Sequence, residues 1–174
     1  MNGKTAFTAV AVWVMVSSVS VPAERPANDL SFLVGDWVGG GSGQPGQGAG
    51  SFSFTLELQG RVLVRSAHSE YPASPGRTAT IHDDLLIVYA DQSKAIYFDN
   101  EGHVIHYEVT TDLRTKTAAF LSVDPPPSPL FRLTYQQPSP DNLRISFEIS
   151  PTGKAEDFKS YLAGAAIRKK PQRP

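Results

Sequence analysis

The chain has no cysteine in 174 residues, so disulfides, thiolate zinc sites, iron–sulfur clusters and a cysteine nucleophile are excluded before any motif is read. It also lacks charge of one sign. With 16 Lys+Arg against 17 Asp+Glu the formal charge is −1, and the cationic excess that a phosphate backbone demands is missing. Nucleic acid is therefore not an expected partner. The apolar run Ala6–Val16 is too short to cross ~30 Å of hydrocarbon as a helix, so no membrane anchor is expected in the mature chain. Catalytic signatures are scarce too: there is no G-x-S-x-G elbow, no H-E-x-x-H and no glycine-rich loop ending in Lys-Ser/Thr. What remains, at 40% hydrophobic and 19% charged residues, has the composition of one ordinary soluble domain.

The first 23 residues read as a signal peptide. Lys4 precedes the run AFTAVAVWVMV, and Ser17 to Ala23 follow as a small-residue cleavage region, with cleavage expected after Ala23. Both methionines and Trp13 leave with this segment, so the mature chain would keep Trp37 alone and, without Lys4, a formal charge of −2. A periplasmic or secreted location follows as an expectation. Residues 24–170 then form a single domain and residues 171–174 a tail, where Pro171 prevents an amphipathic helix from continuing.

Beyond residue 50 hydrophobicity alternates with a period of two, the mark of strands with one buried face. Phe52, Phe54, Leu56 and Leu58 share a face of the first clear strand. Gln59-Gly60 supplies a turn, and Val62, Val64, Ser66 and His68 take the corresponding face of the next. Further strands are expected at Asp84–Tyr89, Lys94–Asp99, His103–Thr111, Thr117–Val123, Leu130–Gln137, Leu143–Ile149 and Tyr161–Lys169, with another near Asp36–Gly41. Turn chemistry divides them, including Asp91-Gln92-Ser93, Asn100-Glu101-Gly102 and the proline-rich Asp124–Pro129. About ten short-linked strands, with no helical pattern long enough for a parallel crossover, make an all-β antiparallel meander. Closure removes exposed edges, so an up-and-down β-barrel is favoured over a sandwich. One short helical turn is expected at Asp29–Leu33, capped by Asn28 or Asp29.

Gly35-Asp36-Trp37 stands at the start of the barrel and Ile167-Arg168-Lys169 at its end. This Gly-x-Trp after a helical turn, with an arginine on the last strand, resembles the calycin superfamily of lipocalins, fatty-acid-binding proteins and nitrobindins. The stretch Gly76–Glu108 is similar to small nitrobindin-like bacterial barrels. The resemblance implies that Trp37 plugs one barrel end with Arg168 stacked over it. Nitrobindins hold haem through a histidine in the C-terminal part of the barrel, and this chain has none after His106. That ligand cannot be carried over, so haem would need His68, His103 or a tyrosine instead, and no cofactor is expected.

With the more apolar face turned inward, the lumen receives Phe52, Phe54, Leu56, Val64, His68, Tyr89, Tyr97, Ile105, Tyr107, Val109, Leu133, Tyr135, Ile145 and Phe147. Greasy walls with a few hydrogen-bonding groups suit a small hydrophobic ligand, contacted by His68, Tyr89, Tyr97, Tyr107 and Tyr135. The tyrosines are equally readable as core residues. No metal is expected: His103 and His106 fall on opposite faces of a strand, and His82-Asp83-Asp84 reads as a solvated loop. Gly41 to Gly46 matches G-x-G-x-x-G but leads into a strand, so it reads as a flexible loop that folds over the mouth. Three functions stay open: a lumen binder, an enzyme using His68 as base with a tyrosine donor, or a packed barrel acting through protein partners. The oligomeric state is not determined.

Overall fold

A computed structural model describes residues 29–39, 49–123 and 128–170. The signal peptide, the glycine-rich loop at 40–48, most of the proline-rich turn and the 171–174 tail lie outside the described residues. Ten strands form one closed barrel in which every neighbour is antiparallel. They are β1 (Gly35–Gly39), β2 (Ala49–Glu57), β3 (Val62–Tyr71), β4 (Thr80–Tyr89), β5 (Lys94–Asp99), β6 (Val104–Asp112), β7 (Thr117–Ser122), β8 (Leu130–Ser139), β9 (Asn142–Ser150) and β10 (Lys159–Arg168). The expected all-β up-and-down barrel is the observed fold. Consecutive strands pair, and β1 meets β10 to close the circle, so no sheet edge is left exposed.

A 3-10 turn at Ser31–Leu33 precedes β1, and the Asp29 carboxylate accepts the Ser31 amide at 3.0 Å. The turn lies across one end of the barrel. Leu30 and Leu33 are fully buried beneath it, the Leu30 amide donates to Gln92 at 2.7 Å, and the Gln137 amide donates to Phe32 O at 3.0 Å. Gln92 belongs to a run of three left-handed residues, Ala90, Asp91 and Gln92, that turns β4 into β5. Such a run costs roughly 1–2 kcal/mol per residue, and it brings the Gln92 side chain to the Leu30 amide.

Trp37 fills the barrel at this end. It is fully buried, its Nε1 donates to Leu33 O at 2.8 Å, and the Arg168 guanidinium lies 4.1 Å from its ring centre. Arg168 also donates to Val34 O at 2.6 Å and Pro140 O at 3.0 Å, which satisfies carbonyls that the plug would otherwise orphan. Gly35 explains itself here: its φ is +131°, and a methyl on it would overlap Arg168 Nη1. Aromatic contacts then run inward from Trp37 to Phe52, Phe54, Tyr135, Phe120 and Tyr107, each step 5.4–6.5 Å between centroids. Pairs of this kind contribute about 0.5–1.5 kcal/mol beyond the area they bury.

Two strands depart from the expected inward face. On β3 the side chains turned inward are Leu63, Arg65 and Ser69, paired through Leu63↔Val88 and Arg65↔Leu86, so Val64 and His68 face out. On β4 the inward set is His82, Asp84, Leu86 and Val88, which places Tyr89 outside. Leu56 is exposed at the end of β2. The expectation fails because it assumes that the greasier face is the inner one. On β4 the outer face carries Ile81, Leu85, Ile87 and Tyr89, and the inner face carries a histidine and an aspartate. A period of two identifies two faces but does not say which one is inside. Strand β4 also begins at Thr80, so His82-Asp83-Asp84 is strand and not loop.

Candidate functional site

Above Arg65 the lumen opens into a cavity of about 680 Å³. Its two walls differ in chemistry. Strands β6, β8 and β9 supply Ile105, Tyr107, Phe131, Leu133, Ile145 and Phe147, while β3, β4, β5 and the turn after β5 supply Arg65, His82, Asp84, Tyr97, Asp99 and Glu101. Phe131 and Phe147 stack at 5.9 Å, nearly parallel, on the apolar side.

The floor is a buried ion pair. Arg65 reaches across the lumen from β3 to bond the Tyr135 hydroxyl on β8, and its other amino group pairs with Asp84. Burial works against the charge on Arg65, but the Tyr135 oxygen and the Asp84 carboxylate outweigh it and hold the guanidinium protonated. Its Nε meets no partner among the described residues. Replacing such a pair by apolar side chains is often neutral or stabilising, so its presence is no stability argument in itself. What the pair does here is divide the barrel into a packed half and a hollow half.

Above the floor a chain of polar contacts climbs the wall. His82 Nε2 lies 3.7 Å from Asp84 and 3.0 Å from the Tyr97 hydroxyl, and its Nδ1 lies 3.2 Å from Glu101. The Tyr97 hydroxyl is also 3.3 Å from Asp99, which receives the His103 and Glu101 amides at 2.9 and 3.0 Å and the His103 ring at 2.8 Å. Burial, with Asp84 and Asp99 nearby, pushes the Tyr97 phenol well above its ordinary pKa, so it stays a donor. At Asp99 burial alone would raise the carboxyl, but the donors from His103 and Glu101 prevail and hold it below its usual range.

The five tyrosine and histidine positions expected to contact a ligand are thus split. Tyr97 and Tyr107 line the cavity. Tyr135 lies beneath the floor, buried, with its hydroxyl taken by Arg65. His68 and Tyr89 are outside. The His68 side chain is 49% exposed and lies 2.6 Å from Asp83 and 3.3 Å from Glu70; the hydrogen bond it donates to Asp83 leads in raising its pKa, followed by the one to Glu70. The physical reason is the one-residue shift of face on β3, which moves a whole alternate set of side chains. Sequence reasoning missed Arg65, His82, Asp84, Asp99 and Glu101. A signal was present: Arg65 and Asp84 are opposite charges on adjacent strands, and His82 stands two positions before Asp84 on the same face.

Both ring nitrogens of His82 have a partner, Glu101 and Tyr97, and the His103 side chain is 61% exposed at the mouth with Nδ1 on Asp99. Among the described residues no group of three His, Asp or Glu is arranged to hold a metal ion.

Fold and site together define a closed ten-stranded antiparallel barrel, plugged at one end and hollow at the other, an architecture compatible with the calycin-like barrels. No family model matches the chain, and no curated protein matches it.

Proposed function

We propose that this protein is an exported, calycin-like barrel that binds one small, largely apolar molecule in its lumen. The observation that carries the reading is the two-walled cavity of about 680 Å³, within the usual range for small-molecule sites. An apolar body would lie against Leu133, Ile145 and Phe147, with its polar end turned to His82 and Tyr97. Tyr97 and Tyr107 keep the contact role expected of them, and His82 takes the place foreseen for His68. A hollow of this size weighs against a filled barrel that works only through its outer surface.

Titration with the neutral fluorophore N-phenyl-1-naphthylamine tests the reading. Its emission should rise and saturate at one molecule per chain, and Ile145→Trp, which fills the apolar side, should abolish the rise. Equal binding by Ile145→Trp would place the site elsewhere. Export is tested separately, by the mass of the mature chain, which should begin at Glu24.

A further inference from the structure

His82 and His68 make an internal comparison. Each imidazole has two carboxylates within reach, Asp84 and Glu101 for His82, and Asp83 and Glu70 for His68. Only His82 sits in a cavity, and only His82 has a phenol at its second nitrogen. A carboxylate accepts and cannot donate, so in the neutral ring Glu101 fixes the proton on Nδ1 and leaves a lone pair on Nε2; the single Tyr97 proton then has two acceptors, that lone pair at 3.0 Å and the Asp99 carboxylate at 3.3 Å. An oxygen atom entering between Tyr97 and His82 would take the Tyr97 hydrogen bond and free Nε2 to accept a proton.

We propose that His82 is a general base acting on an apolar substrate that carries an acidic C–H beside an oxygen able to take up negative charge, such as an enolisable ketone. Tyr97 is the second catalytic residue, donating to that oxygen, and Glu101 is a positioning residue. The inference rests on the lumen-binding reading above. In the step, the C–H bond breaks, its proton goes to His82 Nε2, and its electron pair forms the enolate C–C double bond. The carbonyl π pair moves onto oxygen, where the Tyr97 hydroxyl meets it. Return of the same proton to the far carbon of a conjugated enolate gives an isomer of the substrate, with no oxidant, reductant or cofactor consumed. The imidazolium formed on the way lies between Glu101 at 3.2 Å and Asp84 at 3.7 Å, which stabilises its charge. The phenol is suited to its part because it stays protonated. Across the lumen Phe131 and Phe147 supply an apolar surface that carries no base.

The elimination of 5-nitrobenzisoxazole reads such a base directly. The base removes the ring C–H proton, the N–O bond breaks, and coloured 2-cyano-4-nitrophenolate is released. The full chain should turn it over with saturation, above the buffer rate, and His68→Gln should do so equally well. His82→Gln should lose about 100-fold in kcat/KM, the usual share of a general base. Tyr97→Phe should lower kcat because the phenolate oxygen loses its donor. Glu101→Gln should lower kcat while KM and naphthylamine binding stay unchanged, a split that a merely structural role would not produce. Binding of the fluorophore by each variant reports that it is folded, and if His82→Gln does not fold, Tyr97→Phe decides. Fluorophore binding without turnover, or turnover that survives His82→Gln, overturns the base while leaving the binding reading intact. Loss of both in the full chain overturns the lumen reading and this one with it.

Discussion

The two halves of the barrel share ten strands and one alternation of side chains, yet one half is solid and the other hollow. Below Arg65 the inward positions are Trp37, Phe54, Leu63, Leu86, Val88, Phe120 and Leu143, all buried and in contact. Above it they are His82, Asp84, Tyr97, Asp99, Ile105, Leu133 and Phe147, around open space. A closed barrel has nearly the same cross-section along its length, so what differs is how much of it the inward side chains fill at each level. The solid half holds the fold, and the hollow half is free to carry polar groups that a packed core would not tolerate.

The contrast can be broken most strongly at Trp37. Trp37→Ala should cost about 4 kcal/mol by urea unfolding, because the plug is fully buried and its place cannot collapse, whereas Phe147→Ala should cost about 1 kcal/mol by enlarging a cavity already present. Equal losses would mean that the halves are not energetically distinct. At the partition, Arg65→Met should destabilise by about 3 kcal/mol, since it strands the Asp84 carboxylate. Arg65→Met with Asp84→Leu should recover most of that, and a double variant as weak as the single one would refute the stranded-charge account. Gly35→Ala comes next, at about 2 kcal/mol, from the positive φ and the displaced Arg168; a neutral result in thermal unfolding would show that Arg168 can leave Trp37 freely.

The smallest effect separates the halves by pH. Asp99 in the hollow half has a folded pKa below its unfolded value of about 3.9, so its contribution is present above that value and is lost as pH falls through the folded one. The stability gap between the parent chain and Asp99→Asn should therefore close as the pH drops below about 4. A gap that stays constant through that range would show that the carboxylate is not held by His103 and Glu101.

The solid half was largely legible in the sequence. Phe52 and Phe54 two residues apart announce a packed face, because packing uses apolar side chains at strand spacing and those leave a pattern, and the resemblance to calycins implied the plug of Trp37 with Arg168. The hollow half misleads the same reasoning. On β3 and β4 the polar set Arg65, His82 and Asp84 is inside and the apolar set Val64, Ile87 and Tyr89 is outside, an inversion that burial-based reading scores as error. Inner polar groups are stabilised there by one another across strands, through Arg65 with Asp84 and His82 with Tyr97, and partners from different strands leave no local trace in the chain.

The sequence by itself determined an all-β chain of about ten antiparallel strands, since alternation and turn residues are local properties that each segment carries alone, while the Trp37 plug was implied by the resemblance to calycins. Only the tertiary structure decided that Arg65, His82 and Asp84 on β3 and β4 point inward, that Arg65 divides the lumen, and that His82 and not His68 meets a tyrosine. Those outcomes depend on register between strands, and in a closed barrel the register of any one strand is set by all the others.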